Sequence, residues 1–451
     1  MPYPLAGKQS THAEGPTPET FALTPRLLAG RELAASLQDA RARTLRTLSL
    51  WQRPEYLGEQ TLPMLPDFNP PAWEAGHIAW FQEFWLSRNP ARMDGVNADP
   101  MAPRTASRLA GSDTLYDSSL VAHDLRWGLE LPAAVALCRY LDGTLSDTLA
   151  LLEDVSDSLQ AGAFDGCATQ AQDQALYFFR LALFHEDMHH EAALYMANHY
   201  AAHLLQKETE MDVPTARADW SAFAAETDAW ATPQTSRTEL AMAGGSLVAG
   251  HSGAGFAFDN ECPPPARQLD GYSIDSRAVS VGDFLQFILD RGYQDPHWWT
   301  PRGWQVRQAS GRDLPLFHRL AGRALQRCEF GVWRTLPDDE AMVHVNAYEA
   351  EAWCAWAGRR LPSETEWEHA ASTRTDFTWG CVWEWTAHAF KPYPGFAAHP
   401  YRDYSEPWFG SRRTLKGAAF ATHPRLRQPH YRNFFLPERA DIFSGFRSCA
   451  Q

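Results

Sequence analysis

Phe184-His185-Glu186-Asp187-Met188-His189-His190-Glu191 lies inside a run, Gln172 to Leu205, that contains neither Gly nor Pro. Such a run predicts one long helix. On a helix His185 and His189 are i and i+4, so both imidazoles leave one face a turn apart and can reach a single metal ion. His190 and Glu191 are expected to turn away from that face. A polar helix face that is merely rich in His would carry the same residues, so the pair needs a third partner.

His77 supplies one. Pro70 to Trp85 opens with prolines suited to a helix N-terminus and is then apolar and aromatic on nearly every side. This marks a helix buried in a bundle, with His77 at its middle. Three neutral nitrogens, His77, His185 and His189, leave coordination positions open, as a catalytic metal requires. Amphipathic patterning over Leu27 to Leu50 and Pro132 to Leu159 adds two helices. The expectation is a four-helix bundle over residues 27–206 with its site between the helices.

A chain of 451 residues exceeds one core, and its net charge of −15 speaks against nucleic acid or an anionic membrane as partner. No apolar run reaches the length of a membrane span, which favours a cytoplasmic protein acting on small molecules. The seven cysteines are scattered and never spaced Cys-x-x-Cys, so they predict reduced thiols. Residues 1–26 are expected to be a disordered tail and 207–239 a linker. From 240 to 451, Gly, Pro and Trp with short apolar runs predict an irregular α+β domain. Helices are expected at Val281 to Arg291 and Asn346 to Ala357. Ser363 and Glu366 form a capping box opening another.

The bundle, with His77 and the His-x-x-x-His-x-Glu run, resembles the DinB class. Residues 242–451 resemble the formylglycine-generating-enzyme (sulfatase-modifying-factor) fold, a C-type-lectin variant. They do so through Met242-Ala243-Gly244-Gly245, Gly358 to Glu368, Val382-Trp383-Glu384-Trp385-Thr386 and Phe443-Ser444-Gly445-Phe446-Arg447. The pairing is similar to the ergothioneine-type non-haem iron synthases and their selenoneine-forming relatives. That resemblance implies Fe(II) held by His77, His185 and His189, with O₂ as co-substrate. It implies bond formation between a chalcogen and C2 of the imidazole of hercynine (Nα-trimethylhistidine). It places Asn433 at the substrate carboxylate and Phe434 and Phe435 at the trimethylammonium, whose natural partner is an aromatic face.

Two departures separate this chain from the actinobacterial sulfoxide synthases. Met188 stands where they carry Gln against the imidazole, and Phe390 where they carry Tyr, leaving Tyr393 as the nearest phenol and the expected proton donor. The reading therefore falls on a selenosugar donor and a C–Se bond, as in selenoneine biosynthesis. The alternative is a sulfoxide synthase using cysteine or γ-glutamylcysteine. A zinc-dependent thiol transferase of the DinB type, or a binding module built on the lectin-like domain, stand further off. The Cys pair of the formylglycine enzymes has no counterpart in Lys416 to Thr422 or in the residues that follow.

Overall fold

The computed structural model describes residues 24–51, 64–65, 68–160, 168–211, 220–227 and 236–451. Four long helices build the N-terminal part: α1 (Gly30–Trp51), α2 (Pro71–Trp85), α3 (Ala134–Gln160) and α4 (Ala168–Met211). Pro71 opens α2, where its missing N–H costs no hydrogen bond. Nearly every α2 side chain is buried, including Trp73, His77, Trp80 and Phe81. Among the described residues no helix is long and apolar enough to cross a membrane.

The C-terminal part is a set of small sheets. One has Trp383–Ala389 at its centre, antiparallel to Arg413–Gly417 and parallel to Ser444–Gly445. Arg413–Gly417 pairs in turn with Asn433–Phe435, with Leu415 opposite Asn433 and Arg413 opposite Phe435. The helices expected from Val281 and Asn346 run over Val281–Leu289 and Ala347–Trp356. Gly358, just past the second, takes φ +66°, a conformation that favours glycine. The capping box forms as the sequence predicts: Glu366 N–H donates to Ser363 Oγ at 3.1 Å and Ser363 N–H to Glu366 Oε2 at 2.7 Å. A helical DinB-like bundle is thus followed by a sheet domain of the formylglycine-generating-enzyme type.

The sequence-based boundaries need correction at both junctions. Of the expected tail, residues 1–23 lie outside the described residues. Thr24–Leu27 form a 3-10 turn whose Arg26 is fully buried. Its guanidinium pairs bidentately with the buried Glu261 at 3.0 Å, so the start of the chain is tied into the second domain. Of the expected linker, 212–219 and 228–235 lie outside the described residues. The remainder is partly helix and core: α4 continues to Met211, and Trp220 and Phe223 pack on Trp51.

The two parts share α4 as a wall. Asp187 on α4 pairs with Arg43 of α1 and with Arg425 of the second domain, and Asp187 and Arg425 are both buried. Further along, Asn198 accepts from Phe330 N–H at 2.8 Å and Asp173 accepts from Gly255 N–H at 2.7 Å. Burying a charge is costly unless it is paired, so these contacts fix one helix against both parts.

Candidate metal centre

His77, His185 and His189 converge, one ligand nitrogen from each lying within 4.8 Å of the others. Local packing explains why they do. His77 stacks on Trp73 of its own helix, with ring centroids 4.9 Å apart and planes 9° apart. His185 stacks on Phe81 across the helix pair at 3.6 Å and 8°. Gly76 permits the approach of a neighbouring element, because a Cβ there would fall 2.1 Å from the Tyr116 ring.

The outer nitrogens are held. His77 Nδ1 donates to the Tyr116 carbonyl at 2.8 Å. His189 Nδ1 is bonded to the buried Glu74 carboxylate, which also accepts from Asn69 Nδ2. Each imidazole then presents Nε2 inward as a lone pair, the carboxylate–histidine arrangement common behind metal ligands. His185 Nε2 and His189 Nε2 lie 3.1 Å apart, the separation expected of two cis nitrogens each about 2.1 Å from one ion. Burial lowers the His77 pKa to about 3 and that of His185 well below its ordinary value. Both are therefore neutral ligands at physiological pH. Glu74 is held below the usual carboxylate range, because His189 and its hydrogen bonds outweigh the opposing effect of burial. The donor set fits a divalent ion with open positions, Fe(II) or Zn(II).

The triad opens on a cavity of about 650 Å³, within the range of small-molecule sites. One side of α4 supplies His185, Met188, His189, Glu191, Ala192 and Tyr195. The second domain supplies Trp383, Tyr401, Tyr404, Tyr431, Asn433 and Phe435. The loop after Tyr116 contributes Ser118, His123 and Arg126.

The structure separates residues that the sequence grouped. Side chains alternate along Asn433–Phe435, so Asn433 and Phe435 line the cavity while Phe434 points to the other face. There Phe434 stacks on the buried Phe390 at 4.2 Å and 12°. Tyr393 does not line the cavity either. Its ring packs beneath Arg432 at 4.1 Å and against Gly250. Asn433 Oδ1 accepts from Phe434 N–H at 2.9 Å, which leaves its amide N–H groups to face the cavity.

Three features escaped the sequence. Glu191 does not turn away: it lines the cavity, accepts from Trp383 Nε1–H at 2.7 Å, and burial raises its pKa to about 7. His190 does turn away, to face Glu226 at 3.8 Å. Tyr431 donates to Met188 Sδ at 3.3 Å, with Tyr404 Oη 3.1 Å from Tyr431 Oη. Glu74, one helical turn before His77, is the third. Its spacing within Trp73-Glu74-x-x-His77 was the available signal.

Two family models match the chain: the DinB superfamily over residues 31–193 and the sulfatase-modifying factor enzyme 1-like domain over 225–381. The hercynine oxygenase of Mycolicibacterium smegmatis is 30% identical over 474 residues, covering 93% of this chain and 99% of that protein. That of Mycobacterium tuberculosis is 30% identical over 461 residues, covering 92% and 98%. The formylglycine-generating enzyme of Streptomyces coelicolor is 25% identical over 266 residues, covering 45% of this chain and 84% of that enzyme.

The carboxylate behind His189 gives a first test. Glu74→Gln keeps the shape but removes the charge that orients and polarises His189, and is expected to weaken Fe(II) binding by about 10- to 100-fold. Anaerobic titration of the metal-free protein measures it. Unchanged affinity would show that Glu74 is only a packing residue.

Proposed function

This chain belongs to the hercynine oxygenase family, and from that premise we propose that it is a non-haem iron, O₂-dependent synthase joining a chalcogen to C2 of the hercynine imidazole. The observation that carries the reading is the cavity itself. It sets two of the three histidines beside an amide, a carboxylate and several aromatic faces. Iron held by His77, His185 and His189 would supply O₂ activation. The rest is the work of the chain's own side chains.

Hercynine carries a quaternary ammonium that cannot donate a hydrogen bond, a carboxylate and an imidazole. Phe435, Tyr195 and Trp383 offer aromatic faces to the ammonium, and the Glu191 carboxylate lies among them. The Asn433 amide donates to the substrate carboxylate. With both ends held, the imidazole is directed toward the His185–His189 edge, so that orientation rather than chance collision sets the reaction. Phe434 has no part in this contact.

Proton delivery falls to Tyr431 and Tyr404 rather than Tyr393. Both line the cavity, their hydroxyls are hydrogen-bonded to one another, and burial raises both phenols above their ordinary range. They remain protonated and can hand a proton into the cavity beside Met188. A cytoplasmic location belongs to the same reading.

Two donors remain, each with an observation in its favour. The relatives are oxygenases of hercynine over nearly their whole length, which favours a sulfoxide-forming reaction with cysteine or γ-glutamylcysteine. Met188 and Phe390 depart from that pattern and favour a selenosugar, whose selenol is more acidic than a thiol and arrives deprotonated. Aerobic incubation of the iron-loaded protein with hercynine and each donor, read by mass, decides between them through the specificity constants. No hercynine adduct with any donor would defeat the proposal.

Two further outcomes are expected. Hercynine binds the protein at least about ten-fold more tightly than histidine, and Phe435→Ala or Glu191→Gln narrows that gap, in calorimetric titrations. Equal binding of the two by the unaltered protein would contradict the substrate assignment. Tyr431→Phe slows product formation by about 100-fold, whereas Tyr393→Phe changes it little. The reverse order would return the proton to Tyr393.

A further inference from the structure

The wall residue Arg126 is buried, yet its hydrogen-bond partners among the described residues are all uncharged. Nε and Nη2 donate to the Val121 carbonyl at 3.1 and 3.0 Å, and Nη2 also to the Ser118 carbonyl at 3.2 Å, which folds the loop onto its own guanidinium. Nη1 donates to Asn69 Oδ1 at 2.9 Å. A buried cation with no carboxylate against it is costly, so its remaining contacts must account for its place.

Those contacts lead to two metal ligands. Asn69 bonded to Arg126 through Oδ1 donates from Nδ2 to Glu74, and Glu74 is bonded to His189 Nδ1. The cation thus meets its carboxylate across one amide, and that carboxylate orients His189. The guanidinium also lies 4.0 Å over the Trp73 ring, and Trp73 in turn stacks on His77 at 4.9 Å and 9°. At the other end of the same loop, the Tyr116 carbonyl accepts from His77 Nδ1 at 2.8 Å. One loop, Tyr116 to Arg126, therefore reaches the outer nitrogens of two ligands, directly at His77 and through Asn69 and Glu74 at His189. A guanidinium suits the second task, because its planar fork stacks on an indole while its N–H groups point in plane to separate acceptors. Each link is a charged or polarised hydrogen bond in a dry interior, where such chains reinforce one another.

We propose that Arg126 is a positioning residue of the metal centre, orienting His189 through Asn69 and Glu74 and His77 through Trp73. It joins the wall of the cavity to the ligands behind it. The inference rests on the three-histidine site and is independent of which substrate fills the cavity.

The test is an anaerobic titration of the metal-free protein with Co(II), which takes the same nitrogen ligands and whose visible absorption reports their geometry. We expect Arg126→Gln to weaken Co(II) binding about ten-fold and to change the absorption bands, at unchanged helical content. Asn69→Ala is expected to do the same. If the two act along one chain, adding Arg126→Gln to Asn69→Ala costs no more than about three-fold further, the part carried by Trp73. Unchanged affinity and absorption in Arg126→Gln would overturn the inference, and so would fully additive costs in the double variant. Should Arg126→Gln fail to fold, Asn69→Ala decides alone, since it cuts the chain and leaves the guanidinium in place: unchanged affinity and absorption would again overturn it. No Co(II) binding by the unaltered protein would instead remove the three-histidine site, and the inference with it.

Discussion

Seven consecutive side chains of α4, His185 to Glu191, each meet a partner from another part of the chain, and the rest of the molecule is arranged to receive them. His185 and His189 converge with His77. Glu186 takes Arg41 and Thr44 of α1, Asp187 takes Arg43 and Arg425, and Met188 takes Tyr431. His190 faces Glu226, and Glu191 takes Trp383. A helix carrying so many polar groups is stable in an interior only if all are partnered. The bundle supplies partners on one side and the second domain on the other. This is the physical reason that two dissimilar folds share one site.

The same constraint sets the chemistry of the metal ligands. Buried imidazoles are disfavoured as cations, so His77 and His185 stay neutral and available to an ion. Tyr116 and Glu74 hold the outer nitrogens of His77 and His189, fixing which nitrogen points inward. Replacing either supporting group would change the direction of a lone pair without removing a ligand.

The bundle and its triad were legible because their signals are local. A long run without Gly or Pro, an i, i+4 histidine pair and an aromatic helix opened by prolines each follow from helical geometry. Tyr401, Tyr404 and Tyr431 were not legible. They come from 3-10 turns and loops, where no period links a residue to a direction. Phe434 and Phe435 read alike in the sequence, and only the strand they join assigns them to opposite faces. Tyr393 is close to Phe390 along the chain, which says nothing of where its hydroxyl lies. Arg26 reads as part of a tail because its partner, Glu261, is 235 residues away.

The central claim is that one metal site is built from two helices, with His77 as the ligand that α4 alone lacks. Its most direct test is the iron content of anaerobically reconstituted protein and of His77→Ala, each measured after removal of loosely held metal. The account predicts one Fe(II) per chain in the unaltered protein and none retained by His77→Ala, at unchanged helical content. Full iron stoichiometry in His77→Ala would contradict it.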